Sequence, residues 1–308
     1  MTVQGITLPA HIHLGISPLS WTNDVLEYLG GDIELETCLS EAAGFGFEGI
    51  ELGRKFPRDT PTLRATLAPH GLSLISGWWS GFLAERSVDE EMVAVAAHAR
   101  LLSENEASVM VYGECALMPG TAPLDEPLSR TPKLTGKAFD DYTVKMTDFG
   151  NRLQQSWGLT LAYHHHLMMV VETWDEIRAF FDQTGPSVGL LLDTGHAAAA
   201  GFDYHLMLNR YADRIVHIHL KDVRGDILDK VRDEDLSFNE AVKHGMFATP
   251  GQGQMDFEPI ADFVRESDYQ GWMVIEAEQD PQIAPPKEAI TTGLNHLRDL
   301  FGSSKGRD

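Results

Sequence analysis

The sequence predicts an α/β fold in which the whole chain of 308 residues forms a single (β/α)8 TIM barrel. Short apolar, β-branched runs alternate eight times with amphipathic stretches, which is typical of parallel strands joined by helical crossovers. Polar residues directly follow several of these runs, and the strand ends of a barrel converge on one face. No motif recurs between the eight units, which argues against a solenoid.

Each predicted strand is a short apolar run, and a stretch with helical spacing follows it. The strands are predicted at residues 11–16, 47–52, 72–77, 108–112, 159–164, 188–192, 214–220 and 272–277. The helices are predicted near residues 33–44, 60–70, 88–104, 139–157, 173–183, 204–212, 257–267 and 286–301. Ser87 and Glu90 have the spacing of a capping box, which marks the start of the third helix.

Two segments are longer than ordinary loops: residues 116–138 after the fourth strand and residues 223–255 after the seventh. The first is rich in proline, and the second contains a charged piece with helical character. Long loops after barrel strands lie over the active face, so we expect both segments to cover the site. The tail at residues 303–308 is predicted to be frayed.

Composition limits the classes of partner. The net charge of -22, from 46 acidic and 24 basic residues, argues against a nucleic acid or an anionic membrane, because phosphate binding needs a basic surface. Two cysteines give no disulfide framework. The sequence shows no targeting signal and no run of 18 uncharged apolar residues, so we expect a cytoplasmic protein.

Histidines and carboxylates follow four successive strands, which predicts a divalent metal site. They are His164, His165 and His166 after the fifth strand, Asp193 and His196 after the sixth, His217, His219 and Lys221 at the seventh, and Glu276 and Glu278 after the eighth. Side chains alternate along a strand, so His164 and His166 share a face, whereas His165 is predicted to be structural. Buried carboxylates are costly unless they are paired or bound to metal, and mixed nitrogen and oxygen ligands suit a divalent ion.

Other residues at strand ends leave alternatives open. Glu51 fits either a salt bridge or a contact with substrate, and Glu114 also ends a strand. Of the neighbouring rings Trp78 and Trp79, one is expected to fill the core and the other to stack over a ligand. We assign the ligand contact to Trp79.

Long stretches of the chain resemble a known family. They cover residues 14–24, 55–59, 164–166, 192–196, 214–224 and 271–281. Over nearly its whole length the chain is similar to the metal-dependent, xylose isomerase-like TIM barrels, and within them it resembles the inosose dehydratases of inositol catabolism. Matches of this length are specific, because the Asp-Thr-Gly-His motif at residues 193–196 alone would indicate only the superfamily.

The resemblance implies a set of metal ligands. In the superfamily the metal is held by a Glu after strand five, an Asp after strand six, a His in strand seven and a Glu after strand eight. The last three correspond to Asp193, His219 and Glu276. The strand-five position holds histidine here, so the fourth ligand is His164 or His166, and the alignment favours His164. The resemblance also implies Mn²⁺ or Co²⁺, although Mg²⁺ and Zn²⁺ suit such ligands too.

The implied reaction removes water from a small polyol ketone, 2-keto-myo-inositol (scyllo-inosose), and forms a trihydroxycyclohexane-1,2-dione. The candidates for acid-base work are His166, His196, Lys221 and Glu276. The residues assigned to substrate binding are Trp21, Glu51, Lys55, Trp79, Glu114 and Glu278. Reduced glutathione is a further cofactor that the resemblance implies, and a homo-oligomer is expected.

Two departures from the dehydratases bear on the pocket. The dehydratases follow the three histidines with Met-Gly-Thr, where this chain has Leu167-Met168-Met169. They also carry Pro-Gly-Asp-Gly, where this chain has Gln252 in place of the aspartate. We expect both departures to reshape the pocket.

Three other functions are alternatives to a dehydratase. A ketose epimerase or isomerase on the same scaffold is the main alternative, but it generally needs the strand-five carboxylate. The charge of -22 disfavours an abasic-site endonuclease. A non-catalytic sugar-binding protein would be expected to lack the metal ligands.

Overall fold

Eight parallel strands close into a barrel in a computed structural model that describes residues 2–3 and 5–302. The strands are β1 (Ile12–Ile16), β2 (Gly49–Leu52), β3 (Ser73–Gly81), β4 (Val109–Glu114), β5 (Thr160–His164), β6 (Val188–Asp193), β7 (Ile215–Leu220) and β8 (Gly271–Ile275). They pair in chain order, and β8 pairs with both β7 and β1. The predicted barrel is confirmed, whereas the tail predicted to be frayed lies outside the described residues.

Helices connect the strands and cover the barrel. They are α1 (Leu35–Gly44), α2 (Thr60–Leu67), α3 (Val88–Glu104), α4 (Gly136–Trp157), α5 (Trp174–Gln183), α6 (Thr194–Ala199), α7 (His205–Tyr211), α8 (Gly225–Asp233), α9 (Phe238–Lys243), α10 (Glu258–Glu266) and α11 (Pro286–Gly302). The predicted capping box is present: Ser87 accepts from the Glu90 amide, and the Glu90 carboxylate accepts from the Ser87 amide. Within the described ranges, none of the helices combines the length and apolar character needed to cross a bilayer.

Alternation along the strands separates two environments. In β7, Ile218 and Leu220 belong to the main apolar core, whereas His217 and His219 meet Glu51 of β2 across the barrel. The same alternation at the strand ends decides which polar side chains reach the active face.

Candidate active site

A cavity of about 760 Å³ lies at the carboxyl ends of the barrel strands. Six of the predicted site residues line it: Glu51, His164, His166, His219, Glu276 and Glu278. The remainder of its wall includes the ring of Trp78 and parts of both long loops, among them Leu124 and Phe238. The active face is therefore where the barrel topology predicts it.

Asp193 ends β6 and also caps α6. Its Oδ1 accepts a hydrogen bond of 2.8 Å from the His196 amide, which is the usual role of an N-cap aspartate. Its Oδ2 is buried and has no hydrogen-bond partner within the described part of the chain. A buried carboxylate oxygen without a partner is unusual and calls for a ligand.

His164 and His219 point nitrogen atoms at this free oxygen. The Nδ1–H of His164 donates to the His165 carbonyl at 2.7 Å, so the other ring nitrogen, Nε2, carries the lone pair. That Nε2 lies 3.5 Å from Asp193 Oδ2, as does Nδ1 of His219. The His219 Nδ1 is also 2.9 Å from Glu276 Oε2, but the two are not aligned as a hydrogen bond.

These atoms fit a divalent metal. One atom each from His164, Asp193 and His219 lies within 4.8 Å of the other two, and all three residues are buried. A second trio, Glu51, His217 and His219, has the same property, but it is already joined by hydrogen bonds. In the first trio, lone pairs of ligand atoms receive no hydrogen bond. It is therefore the better candidate metal site, and Glu276 lies beside it.

Glu51 controls the orientation of His219. One carboxylate oxygen, Oε1, accepts hydrogen bonds from His217 Nε2 at 2.9 Å, from His219 Nε2 at 3.1 Å and from the Ser76 hydroxyl at 2.6 Å. Burial opposes the charge on Glu51, but the two histidines outweigh it and hold the pKa of the carboxyl well below its usual range. Since Nε2–H of His219 faces Glu51, its Nδ1 is left for a metal.

Lys221 is buried among three carboxylates. Its Nζ lies 2.5 Å from Glu276 Oε1, 3.2 Å from Glu278 Oε2 and 3.7 Å from Asp193 Oδ2. Burial opposes its charge, but the three carboxylates outweigh burial and raise the pKa of the ammonium. Lys221 therefore offsets the negative charge of these carboxylates from outside the cavity wall, whereas Glu276 and Glu278 line the cavity.

The rings of His166 and His196 are in contact, with centroids 3.9 Å apart and planes inclined at 36°. His166 lines the cavity and donates its Nδ1–H to the Leu167 carbonyl at 2.6 Å, so its Nε2 is unprotonated. His196 is 1% exposed and lies behind His166, where its Nδ1 accepts from the Leu167 amide at 3.3 Å. Burial holds the pKa of each ring well below its usual value, and the next cause is His164 for His166 and His166 for His196.

Two predicted substrate contacts near β1 and β2 lie away from the cavity. The indole Nε1–H of Trp21 donates to Glu41 of α1 at 2.8 Å, and the ring is buried in the core. Lys55 donates to the carbonyls of Gly30 and Gly31 at 3.0 Å each, and also to that of Ile33. These placements correct the prediction, because both side chains are engaged in holding the loop before α1.

Two more corrections concern β3 and β4. The Nε1–H of Trp79 donates to buried Glu91 of α3 at 2.7 Å, so it is the neighbouring Trp78 that lines the cavity. Glu114 points into the helix layer, where it accepts from the Tyr112 hydroxyl and the Ala116 amide at 3.0 Å each. Burial raises the pKa of Glu114 to about 7.

The two sequence departures have different consequences. Met168 adopts a left-handed backbone with φ of 68°, the conformation that favours glycine, and Met169 lines the cavity. Gln252 instead accepts a hydrogen bond of 3.0 Å from Arg224 and is not part of the cavity wall. Only the first departure alters the pocket.

Sequence reasoning missed several polar residues of the cavity wall, among them Ser80, Glu85, Asp125 and, of most interest here, Asn239. Asn239 lies in α9, far along the chain from the strand ends, and no motif surrounds it. The proposed helical piece of the second long loop was the one signal that could have drawn attention to it.

The barrel fold and this cluster of polar residues indicate the class of protein. The chain belongs to the xylose isomerase-like TIM-barrel family, which matches residues 39–300. A solved structure of the IolI protein with a zinc atom superimposes with a TM-score of 0.65 and 16% identity, covering 94% of this chain and 98% of that chain. That likeness shows the shared fold.

Two relatives are much more similar in sequence. The inosose dehydratase of Geobacillus thermodenitrificans is 40% identical over 294 residues, covering 94% of this chain and 98% of the relative. The rhizopine catabolism protein MocC of Rhizobium meliloti is 44% identical over 293 residues, covering 95% of this chain and 90% of the relative. The predicted resemblance to the inosose dehydratases is confirmed, and the chain is an enzyme of the hydro-lyase class.

Proposed function

We propose that this enzyme removes water from scyllo-inosose in inositol catabolism and depends on a divalent cation. The observation that carries the proposal is the convergence of His164, Asp193 and His219 beside Glu276, where Oδ2 of Asp193 and Nδ1 of His219 have no hydrogen-bond partner within the described residues. The similarity to inosose dehydratases over 94% of the chain supports the choice of substrate.

His164, Asp193, His219 and Glu276 would hold the cation, and Mn²⁺ or Co²⁺ is the proposed ion. When bound, such an ion supplies Lewis-acid stabilisation of negative charge developing on the ketone oxygen. Glu51 keeps Nδ1 of His219 free for it, and Lys221 balances the surrounding carboxylates.

His166 is the proposed base. Its Nε2 carries a lone pair, it lines the cavity, and it accepts the proton from the carbon next to the ketone. His196 packs against it from behind and fixes the ring. Because His196 does not line the cavity, we propose that it positions His166 and does not contact the substrate.

Glu278 is the proposed contact of the departing hydroxyl. It lines the cavity, and its Oε2 lies 3.2 Å from the buried ammonium of Lys221. The Glu278–Lys221 pair delivers a proton as the carbon–oxygen bond breaks, so that water leaves. The carbon–hydrogen electron pair forms the new double bond, and the resulting enol tautomerises to the dione.

Turnover of scyllo-inosose by chelated protein, with each metal ion added back separately, tests this function. We expect loss of one water by mass spectrometry and ultraviolet absorbance of the dione enol. An epimerase would exchange the substrate proton with solvent deuterium and lose no water, which would contradict the proposal. Rhizopine belongs in the same panel, because a similar protein is named for its catabolism.

Several further predictions stay proposals, and one of them can be tested in the same assays. Reduced glutathione is added as a variable, since the family resemblance implies it. A cytoplasmic location, a homo-oligomer, and the absence of nucleic-acid and membrane partners stay predictions based on charge and family.

A further inference from the structure

The two long loops meet above the cavity and form one lid, which we define as residues 116–135 and 225–248. The Leu128 amide donates to the Leu236 carbonyl at 3.1 Å, next to a bridge between Pro127 and Ser237. Ser129 donates to the Asp235 carboxylate from its amide at 3.0 Å and from its hydroxyl at 2.6 Å. The lid is therefore joined along its outer edge.

Asn239 joins the two halves of the lid at the cavity itself. Its Nδ2 donates to Asp125 Oδ1 at 2.7 Å, and a carboxylate can only accept, so the amide orientation is fixed. The side chain is 4% exposed and lines the cavity. Its Oδ1 is buried and has no hydrogen-bond partner among residues 2–3 and 5–302.

Within the part of the chain that the structure describes, no group donates a hydrogen bond to the carbonyl oxygen of Asn239. The cavity wall beside it in the lid is formed by Met118, Leu124 and Phe238, which are apolar. Buried carbonyl groups in folded proteins are paired in the great majority of cases. An unpaired one on a cavity wall, held in place by a second residue, suits a ligand that brings its own donor.

We propose that Asn239 is a specificity-determining residue whose Oδ1 accepts a hydrogen bond from a ring hydroxyl of the polyol ketone, with Asp125 holding the amide in position. The inference rests on the proposed function, because that substrate carries hydroxyls around its ring. It assigns the lid a role in recognising the substrate in addition to covering it. A site built to bond a hydroxyl rejects the analogue that lacks it.

The test compares Asn239→Leu, which has similar volume but no acceptor, with Ser129→Ala, which loosens the outer edge of the lid. We expect Asn239→Leu to raise KM for scyllo-inosose at least about tenfold with little change in kcat, as for loss of a substrate hydrogen bond. Ser129→Ala is expected to keep the wild-type KM. Equal changes in both variants, or an unchanged KM in Asn239→Leu, would overturn the inference.

A series of inososes that each lack one ring hydroxyl gives a second readout. The wild type should discriminate against one member of the series, and Asn239→Ala should lose that discrimination; discrimination kept in the variant would overturn the inference. Calorimetric binding to the metal-loaded protein is measured in parallel. If the wild type binds inososes but does not dehydrate them, the proposed function fails, while the Kd values of wild type and variant still decide the role of Asn239. If the wild type does not bind inososes, both the proposed function and the Asn239 inference fail.

Discussion

The ends of β5–β8 and the ends of β1–β4 carry similar polar residues but use them differently. After β5–β8, His164, Asp193, His219 and Glu276 converge on one point beside the cavity. Near β1–β4, four of the five predicted contacts do not line the cavity, namely Trp21, Lys55, Trp79 and Glu114, and Glu114 binds tyrosine and backbone groups instead. One half of the barrel mouth therefore supplies chemistry, and much of the other half supplies support.

This difference shows that a polar residue at a strand end does not by itself predict a site residue. The direction of its side chain must also be known. Trp78 and Trp79 are adjacent in β3, yet one lines the cavity and the other bonds to Glu91 of α3. Successive side chains point to opposite faces, so a shift of one residue exchanges a substrate contact for a structural one.

Asp193→Asn should have the largest effect on the catalytic half. Asn keeps the cap of α6 but removes the anionic group that is proposed to hold the metal. The ion is expected to supply several kcal/mol of barrier lowering, so kcat should fall on the order of 10³-fold, with bound metal lost and thermal stability little changed. Metal analysis and steady-state kinetics check this. Glu114→Gln is the matched control and should retain metal and turnover.

Glu114→Gln tests the supporting half through pH. Burial raises the pKa of Glu114 to about 7 from an ordinary 4.5, so the folded protein holds a proton that the unfolded chain releases between these values. Stability from this group is thus lost as the pH rises from about 4.5 to 7. Glutamine cannot titrate, so the variant should gain up to about 3 kcal/mol relative to wild type between pH 5 and 8.

Urea unfolding of both proteins at several pH values measures that difference in the free energy of unfolding. Parallel stability curves for wild type and Glu114→Gln would show that Glu114 is not held protonated in the folded state.

The sequence contained enough to predict the eight units, because the period of apolar residues records both strands and helices. Several features escaped it, and two of them are instructive. The six-residue helix α6 is too short to show a period, and β3 extends to Gly81. The strand-five ligand was open between His164 and His166, since both share a face; only the position of Asp193 distinguishes them.

Glu51 of β2 is an exception in the supporting half, because it faces the cavity. Its substitution tests whether it contributes to the metal site. Glu51→Gln should weaken metal binding about 10- to 100-fold, because a neutral amide oxygen accepts the hydrogen bonds from His217 and His219 more weakly than the carboxylate does. Competition with a chromogenic chelator measures the affinity. Glu48→Gln, which removes the carboxylate beside His13, is the control. Unchanged affinity would mean that Glu51 does not orient His219.

The pair Trp78 and Trp79 gives the smallest predicted effect. Trp79→Phe removes a hydrogen bond to the buried carboxylate of Glu91 and should destabilise the fold by about 1.5 kcal/mol with KM unchanged. Trp78→Phe should instead change KM and leave stability close to wild type. Thermal melts and kinetics on both variants distinguish them, and the reverse pattern would show that the orientations are exchanged.

The most direct test of the account is a metal titration of chelated wild-type protein in the presence of scyllo-inosose. Dehydration should be absent without metal, should rise in proportion to added Mn²⁺ or Co²⁺, and should reach its plateau at one ion per chain. Full turnover by protein shown to contain no divalent metal would contradict the central claim that His164, Asp193, His219 and Glu276 share a catalytic ion.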